Sequence, residues 1–156
     1  MSVKLNEKII KAFAEPTTIK AIATTDKNGV PHITFKGSLH LNKENGYIEH
    51  YEILESSQTN SNLVYAIWFD KTVAINILTS DGKSYQIKGH SVKSITSGKY
   101  FDGVYTALRE KKGDIDLGAI WWIEPDEIRE ETFDVRINED ETAYPLLKHL
   151  DRITRK

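Results

Sequence analysis

The chain has 156 residues, 39% hydrophobic and 28% charged, with 21 basic and 23 acidic residues and a formal net charge of −2. That size and composition predict one globular domain over 1–156, and the balanced charge excludes the footprint of a nucleic-acid or anionic-membrane binder. There is no cysteine, so disulfides, thiolate nucleophiles and Cys-ligated zinc are excluded and redox chemistry would need a bound cofactor.

Apolar residues at Leu5, Ile9, Ile10 and Phe13 have helical spacing, and Glu15-Pro16 ends that helix. Thr18 to Thr25 reads as a strand, Asp26-Lys27-Asn28-Gly29 as a tight turn, and Val30 to Leu41 as the second arm of a hairpin. Lys43-Glu44-Asn45-Gly46 repeats the turn chemistry before a strand over Tyr47 to Tyr51. A helix is expected over Asn60 to Phe69, then strands over Thr72 to Leu78 and Ser84 to Ile95. Tyr100, Val104 and Leu108 mark one stripe of a helix over Tyr100 to Lys111. Leu117 to Phe133 reads as a last long strand interrupted near Glu124-Pro125-Asp126. The acidic run Asn138 to Glu141 reads as a solvated loop, and Tyr144 to Ile153 as a short helix. Six strands and three or four helices, joined by hairpin turns, predict a mostly antiparallel α+β fold with a small barrel as its closure. No leader-like or membrane-spanning apolar stretch is present, so a cytoplasmic protein is expected.

The segment Glu55 to Leu63 carries the functional signal. A strand gives way to Ser56-Ser57-Gln58-Thr59-Asn60-Ser61-Asn62 and then to an apolar helix. The free first-turn N–H groups and the helix dipole make such a corner suited to an anion such as a phosphate. Ser57 and Thr59 suit either phosphate contact or plain N-capping, and Asn62 suits either phosphate contact or solvent. His32, His40, His90 and His149 have no metal-binding spacing, and no metal site is expected. No P-loop, G-x-G-x-x-G or Ser-His-Asp order appears, so no catalytic side chain is assigned.

Four stretches in order resemble the FMN-binding split-barrel family of pyridoxamine 5'-phosphate oxidase-like proteins. They are Ala21 to His32 as the opening hairpin, Ser57 to Leu63 before the crossing helix, Thr72 to Leu78 as a core strand, and Tyr85 to Gly89 as the next strand. The resemblance implies a six-stranded antiparallel split β-barrel with flanking helices. It also implies an FMN cofactor at a homodimer interface and oxidoreductase activity with a nicotinamide or protein electron donor. Thr34 and Thr59 stand where the oxidase proper has cations, and the tail Leu147 to Arg152 lacks the order of its substrate-gripping motif. Pyridoxamine phosphate is therefore not the expected substrate, and a non-catalytic flavin- or haem-binding carrier or sensor is the alternative.

The resemblance places Thr34, Phe35, Lys36, Gly37 and Ser38 along the flavin, with Gly37 allowing a close backbone approach mid-strand. It offers Tyr51 to stack on the ring and His50 to donate to it. Ser57, Gln58, Thr59 and Asn62 are assigned to the phosphate corner, Lys88 to the flavin or its phosphate, and Trp121 to a flavin edge. Each has a plainer reading: Lys36 and Lys88 as solvent-facing strand lysines, His50 and Tyr51 as a packed aromatic pair. Trp121 and Trp122 face opposite sides of a strand, so one belongs to the core and the other to a more exposed surface.

Overall fold

The computed structural model describes residues 2–145, which form four helices and seven strands. Helix α1 (Glu7–Ala14) starts where the Asn6 side chain accepts from the Ile9 N–H at 3.1 Å, and it buries Ile9, Ala12 and Phe13. Strands β1 (Ile19–Thr25) and β2 (Pro31–Phe35) form the expected hairpin. Its turn is tied by Asp26 Oδ1, which accepts from the Asn28 and Val30 N–H groups at 2.8 and 2.9 Å, with Gly29 at φ 78°.

The expected second strand is two strands. β2 pairs with β1 at one edge of the sheet, whereas β3 (His40–Leu41) pairs with β4 (Ile48–Glu52) at the other edge. The full order is β2-β1-β5-β6-β7-β4-β3. Residues 36–39 therefore cross from one edge of the sheet to the other, which raises the count from the expected six to seven. Gly37 lies in this crossing, exposed, with open space where a Cβ would stand. Gly37 is therefore not in mid-strand but in the connection between β2 and β3.

Helix α2 (Gln58–Trp68) follows β4, and β5 (Thr72–Leu78) and β6 (Ser84–Ile95) form the next hairpin. Helix α3 (Lys99–Lys112) leads to β7 (Ala119–Glu130), which pairs with both β6 and β4. Pro125 does not break β7. It faces Gly89 at a register shift in which Asp126 is the extra residue, a bulge that tolerates the missing N–H. Gly89 is required there, because a Cβ would lie 2.2 Å from the Glu124 carbonyl oxygen.

The acidic run read as a loop lies in helix α4 (Phe133–Ala143). None of its residues is buried, so the sequence carries no apolar stripe to mark it. The helix expected over 144–153 lies outside the described residues beyond Pro145. Side chains of Ile22, Ile48, Leu63, Val73, Ile75, Ile77, Ile87, Trp121 and Ile123 meet inside the curled sheet, with α1 and α2 contributing Ile9, Phe13 and Ala66. No helix among the described residues is long and apolar enough to cross a membrane.

Candidate functional site

Strand periodicity sorts the candidate residues before any ligand is considered. In β4, Ile48, His50 and Glu52 share the inner face, and Glu49 and Tyr51 share the outer face. His50 and Tyr51 therefore cannot flank one ring. His50 is 1% exposed, whereas Tyr51 is half-buried and packs edge-on to His40 with ring centroids 4.7 Å apart.

The inner-face groups meet where the chain crosses the seam of the barrel. Lys36 Nζ donates to both Glu52 carboxylate oxygens, at 3.1 and 3.4 Å. His50 Nε2 lies 3.1 Å from Glu52 Oε2, and His50 Nδ1 lies 2.7 Å from Ser38 Oγ. A carboxylate only accepts, so Nε2 carries the ring proton and Nδ1 accepts from Ser38. Ser38 Oγ also accepts from the Tyr51 N–H at 3.2 Å, and with its one proton on His50 it lies 3.0 Å from the Tyr51 carbonyl oxygen without donating to it. Lys36, Ser38, His50 and Glu52 thus stitch together the two edges of the split sheet.

Glu52 is 2% exposed. Burial works to raise its carboxyl, but the His50 contact, with further help from Ser57 and Lys36, carries it down to about 2. Burial pushes His50 below its ordinary value, against the pull of Glu52. The site at neutral pH is therefore a carboxylate, a neutral imidazole and a lysine.

Helix α2 begins directly beside this network. Glu52 Oε1 accepts from the Leu54 N–H at 3.2 Å, and Ser57 Oγ caps the helix by accepting from the Asn60 N–H at 3.0 Å. Asn62 is buried, not solvated: it donates to Thr24 Oγ1 at 3.0 Å and accepts from Gln58 at 2.7 Å. Thr59 is 1% exposed and its hydroxyl has no partner. Trp121 is a core residue whose Nε1 donates to Asn60 Oδ1 at 2.9 Å, so it fixes α2 and does not present an edge at the surface.

Other expected site residues lie apart from the seam. Phe35 is on the outer sheet face opposite Ala21, 75% exposed, with Ile33 beside it at 69%. Thr34 faces inward opposite Ile22 and is half-buried. Lys88 is on the outer face opposite Ala74, shares that face with Gln86, and pairs with Glu127 at 3.3 Å, which is its plain solvent-facing reading.

Sequence reasoning missed both buried carboxylates. On the outer face Glu49 accepts from His40 (2.9 Å), Asn42 (3.2 Å), Tyr100 (2.7 Å) and Trp122 (2.6 Å). Burial opposes ionisation of Glu49, yet these donors hold it at about 2, and Glu49 in turn raises His40 against the burial of its ring. The available signal was two glutamates within Glu49-His50-Tyr51-Glu52, a strand whose flanking residues are apolar. A cleft of about 920 Å³ lies elsewhere, between α1 and the β3–β4 hairpin, lined by Leu5, Ile10, Phe13, Leu41 and Tyr47 among others. None of the residues expected to hold a ligand lines it.

The family resemblance implies FMN, and the donor set at the seam matches part of that molecule. Hydroxyl and amide groups and an uncovered apolar strand edge suit a flat heterocycle with a polar tail. A phosphate dianion is poorly suited there, because Lys36 is already paired with Glu52 and that ionised carboxylate lies in the chain leading to α2.

No family model matches the chain, and no curated protein sequence matches it significantly. Solved structures do match. A pyridoxamine 5'-phosphate oxidase candidate from Lactobacillus delbrueckii superposes with a TM-score of 0.63 at 16% identity, over 81% of this chain and 93% of that one. An FMN-binding protein from Syntrophomonas wolfei gives 0.60 at 16% identity, over 81% and 83%. HutZ, the haem storage protein of Vibrio cholerae, gives 0.55 at 15% identity, over 82% and 95%. The chain therefore has the split-barrel fold of the pyridoxamine 5'-phosphate oxidase-like proteins.

Proposed function

We propose that this protein is a flavin-binding split barrel that works as a homodimer in electron or hydride transfer. The observation that carries the reading is the uncovered strip on edge strand β2. Ile33 and Phe35 are 69% and 75% exposed there, on the outer face of the sheet. An uncovered apolar strip on an edge strand is a surface against which a flat heterocycle can lie. The FMN-binding neighbour of the same fold supports the flavin class. A bound flavin would supply the two-electron chemistry that this cysteine-free chain lacks. The protein's part is to orient the ring, exclude water through the second protomer and present backbone donors to its polar edge. A nicotinamide nucleotide or a redox protein would supply the electrons.

A second reading, a haem-binding carrier, is supported by the fold. A storage protein for haem shares the fold. Titration of the purified protein with FMN, riboflavin and haemin, followed by flavin fluorescence and by haem absorbance, separates the readings. Saturable flavin binding at roughly micromolar levels, with NAD(P)H reduction of the bound ring, is expected. Binding of haemin with no uptake of either flavin would overturn the flavin reading.

A further inference from the structure

We propose that the cleft between α1 and the β3–β4 hairpin is a second binding site, for an amphiphile with a hydrocarbon chain and a carboxylate head. It is separate from the seam and goes beyond the flavin reading. The cleft measures about 920 Å³, within the range of small-molecule pockets. Its lining includes Val3, Leu5, Ile10, Phe13 and Leu41, none with a polar side-chain atom. The segment before α1 is held beside it where the Val3 N–H donates to the Pro125 carbonyl oxygen at 2.8 Å. Ile10 belongs to this cleft and not to the core. It is 46% exposed, and Glu7, Ile10, Lys11 and Ala14, spaced as one helical face, all line the cleft.

Depth separates the chemistry of the lining. Phe13 is buried, and Leu5 and Leu41 are half-buried against the core. Lys4, Lys11 and Lys43 are exposed, two from the α1 side and one from the hairpin turn. Among the described residues the lysine ion pairs involve Lys36, Lys83 and Lys88, and none of these three. Of the two glutamates in the lining, Glu124 lies 3.4 Å from His90, which leaves Glu7 against three lysines. That excess of cations selects an anionic head group. The other polar groups of the hairpin wall are committed. His40 has Nδ1 on the Ser38 carbonyl oxygen and Nε2 on Glu49. Asn42 donates to Glu49 and Tyr100 and accepts from the Glu44 and Asn45 N–H groups. A heterocycle seated on the apolar residues would lose its hydrogen bonds to water without replacement, whereas a hydrocarbon chain has none to lose.

The test is calorimetric titration of the purified protein with decanoate and with 1-decanol, at low and high sodium chloride. The expected result is saturable decanoate binding about tenfold tighter than that of the alcohol, with the gap closing in high salt. Lys11→Gln combined with Lys43→Gln changes two exposed side chains and is expected to bring decanoate down to the level of decanol. Ile10→Glu sets a carboxylate in the cleft and is expected to abolish decanoate binding, while Phe35→Asp, on the outer sheet face, is expected to leave it unchanged. Decanol binding as tight as decanoate, saturation by neither, or decanoate binding that survives Ile10→Glu would each overturn the proposal. Should Ile10→Glu not fold, the double lysine variant decides by itself. Flavin uptake is expected to be the same in the lysine variant as in the wild type, so a failure here leaves the flavin reading standing.

Discussion

Glu49 and Glu52 are three residues apart and lie on opposite faces of one strand, each ionised and almost wholly buried. A buried carboxylate is stable only when its oxygens are saturated with donors, and both meet that condition. The consequence is a defined pH window. Glu49 has a folded value of about 2 against an ordinary 4.5, so its contribution is complete above 4.5 and is lost as pH falls toward 2. His40 has the opposite sign. Its value is raised above 6.5, so the stabilisation it provides is complete below 6.5 and is lost as pH rises through the folded value. The pair is therefore most favourable between those limits. Glu49→Gln is expected to cost about 2–4 kcal/mol at pH 6 and to remove about one proton from the uptake that accompanies acid unfolding. Urea denaturation between pH 3 and pH 6 measures both, and an unchanged acid limb would show that Glu49 carries no depressed value.

At the scale of elements, α2 shows how a correct reading of local chemistry can stop short of the site. The Ser57 cap and the helix after it were legible, because hydroxyl and amide residues before an apolar run have few other uses. The buried carboxylate nearby was not legible, since Glu52 meets Lys36 only because the β2–β3 crossing passes the end of β4. The split of β2 from β3 was hidden for a related reason: Val30 to Leu41 is continuously strand-like, and only the sheet order shows that the chain changes edges at Lys36. Helix α4 was hidden because none of its residues is buried. Helix α2 yields a clean test of the two roles assigned to the hydroxyls at its start. Ser57→Ala is expected to cost about 1 kcal/mol, the usual value of a lost cap. Thr59→Val replaces a partnerless buried hydroxyl with a methyl of the same shape, so stability is expected to hold or to rise by up to about 1 kcal/mol. Thermal or urea unfolding reads both variants. A Thr59→Val protein that loses flavin would show that the hydroxyl turns to the ligand.

For the whole molecule, the exposed apolar residues are too concentrated to be incidental. On the outer sheet face, Ile19 and Leu78 lie opposite each other, next to Phe35 and Ile33 across β1, all with 42% or more of their surface exposed. Helix α2, packed on the inner side of the sheet through Leu63 and Ala66, separately exposes Val64 and Trp68, four residues apart, and Phe69 follows. Periodicity alone marks these positions as apolar. It does not say which face of the sheet they share, so the sequence suggested a dimer only through family resemblance. A contiguous apolar face on a sheet whose edge strand is also uncovered is a liability in a monomer. A second copy of the chain, related by twofold symmetry, would cover the same patch on both partners at once. Sedimentation of the purified protein is expected to give a dimer at micromolar concentration. Phe35→Asp places a charge at the centre of the patch without touching the core, so it is expected to give a folded monomer with the wild-type circular dichroism spectrum. Because the ring in this proposal is bounded by both protomers, the same variant is expected to weaken flavin binding by about tenfold or more. A wild-type protein that sediments as a monomer, or a Phe35→Asp variant that stays dimeric, would place the partner surface elsewhere.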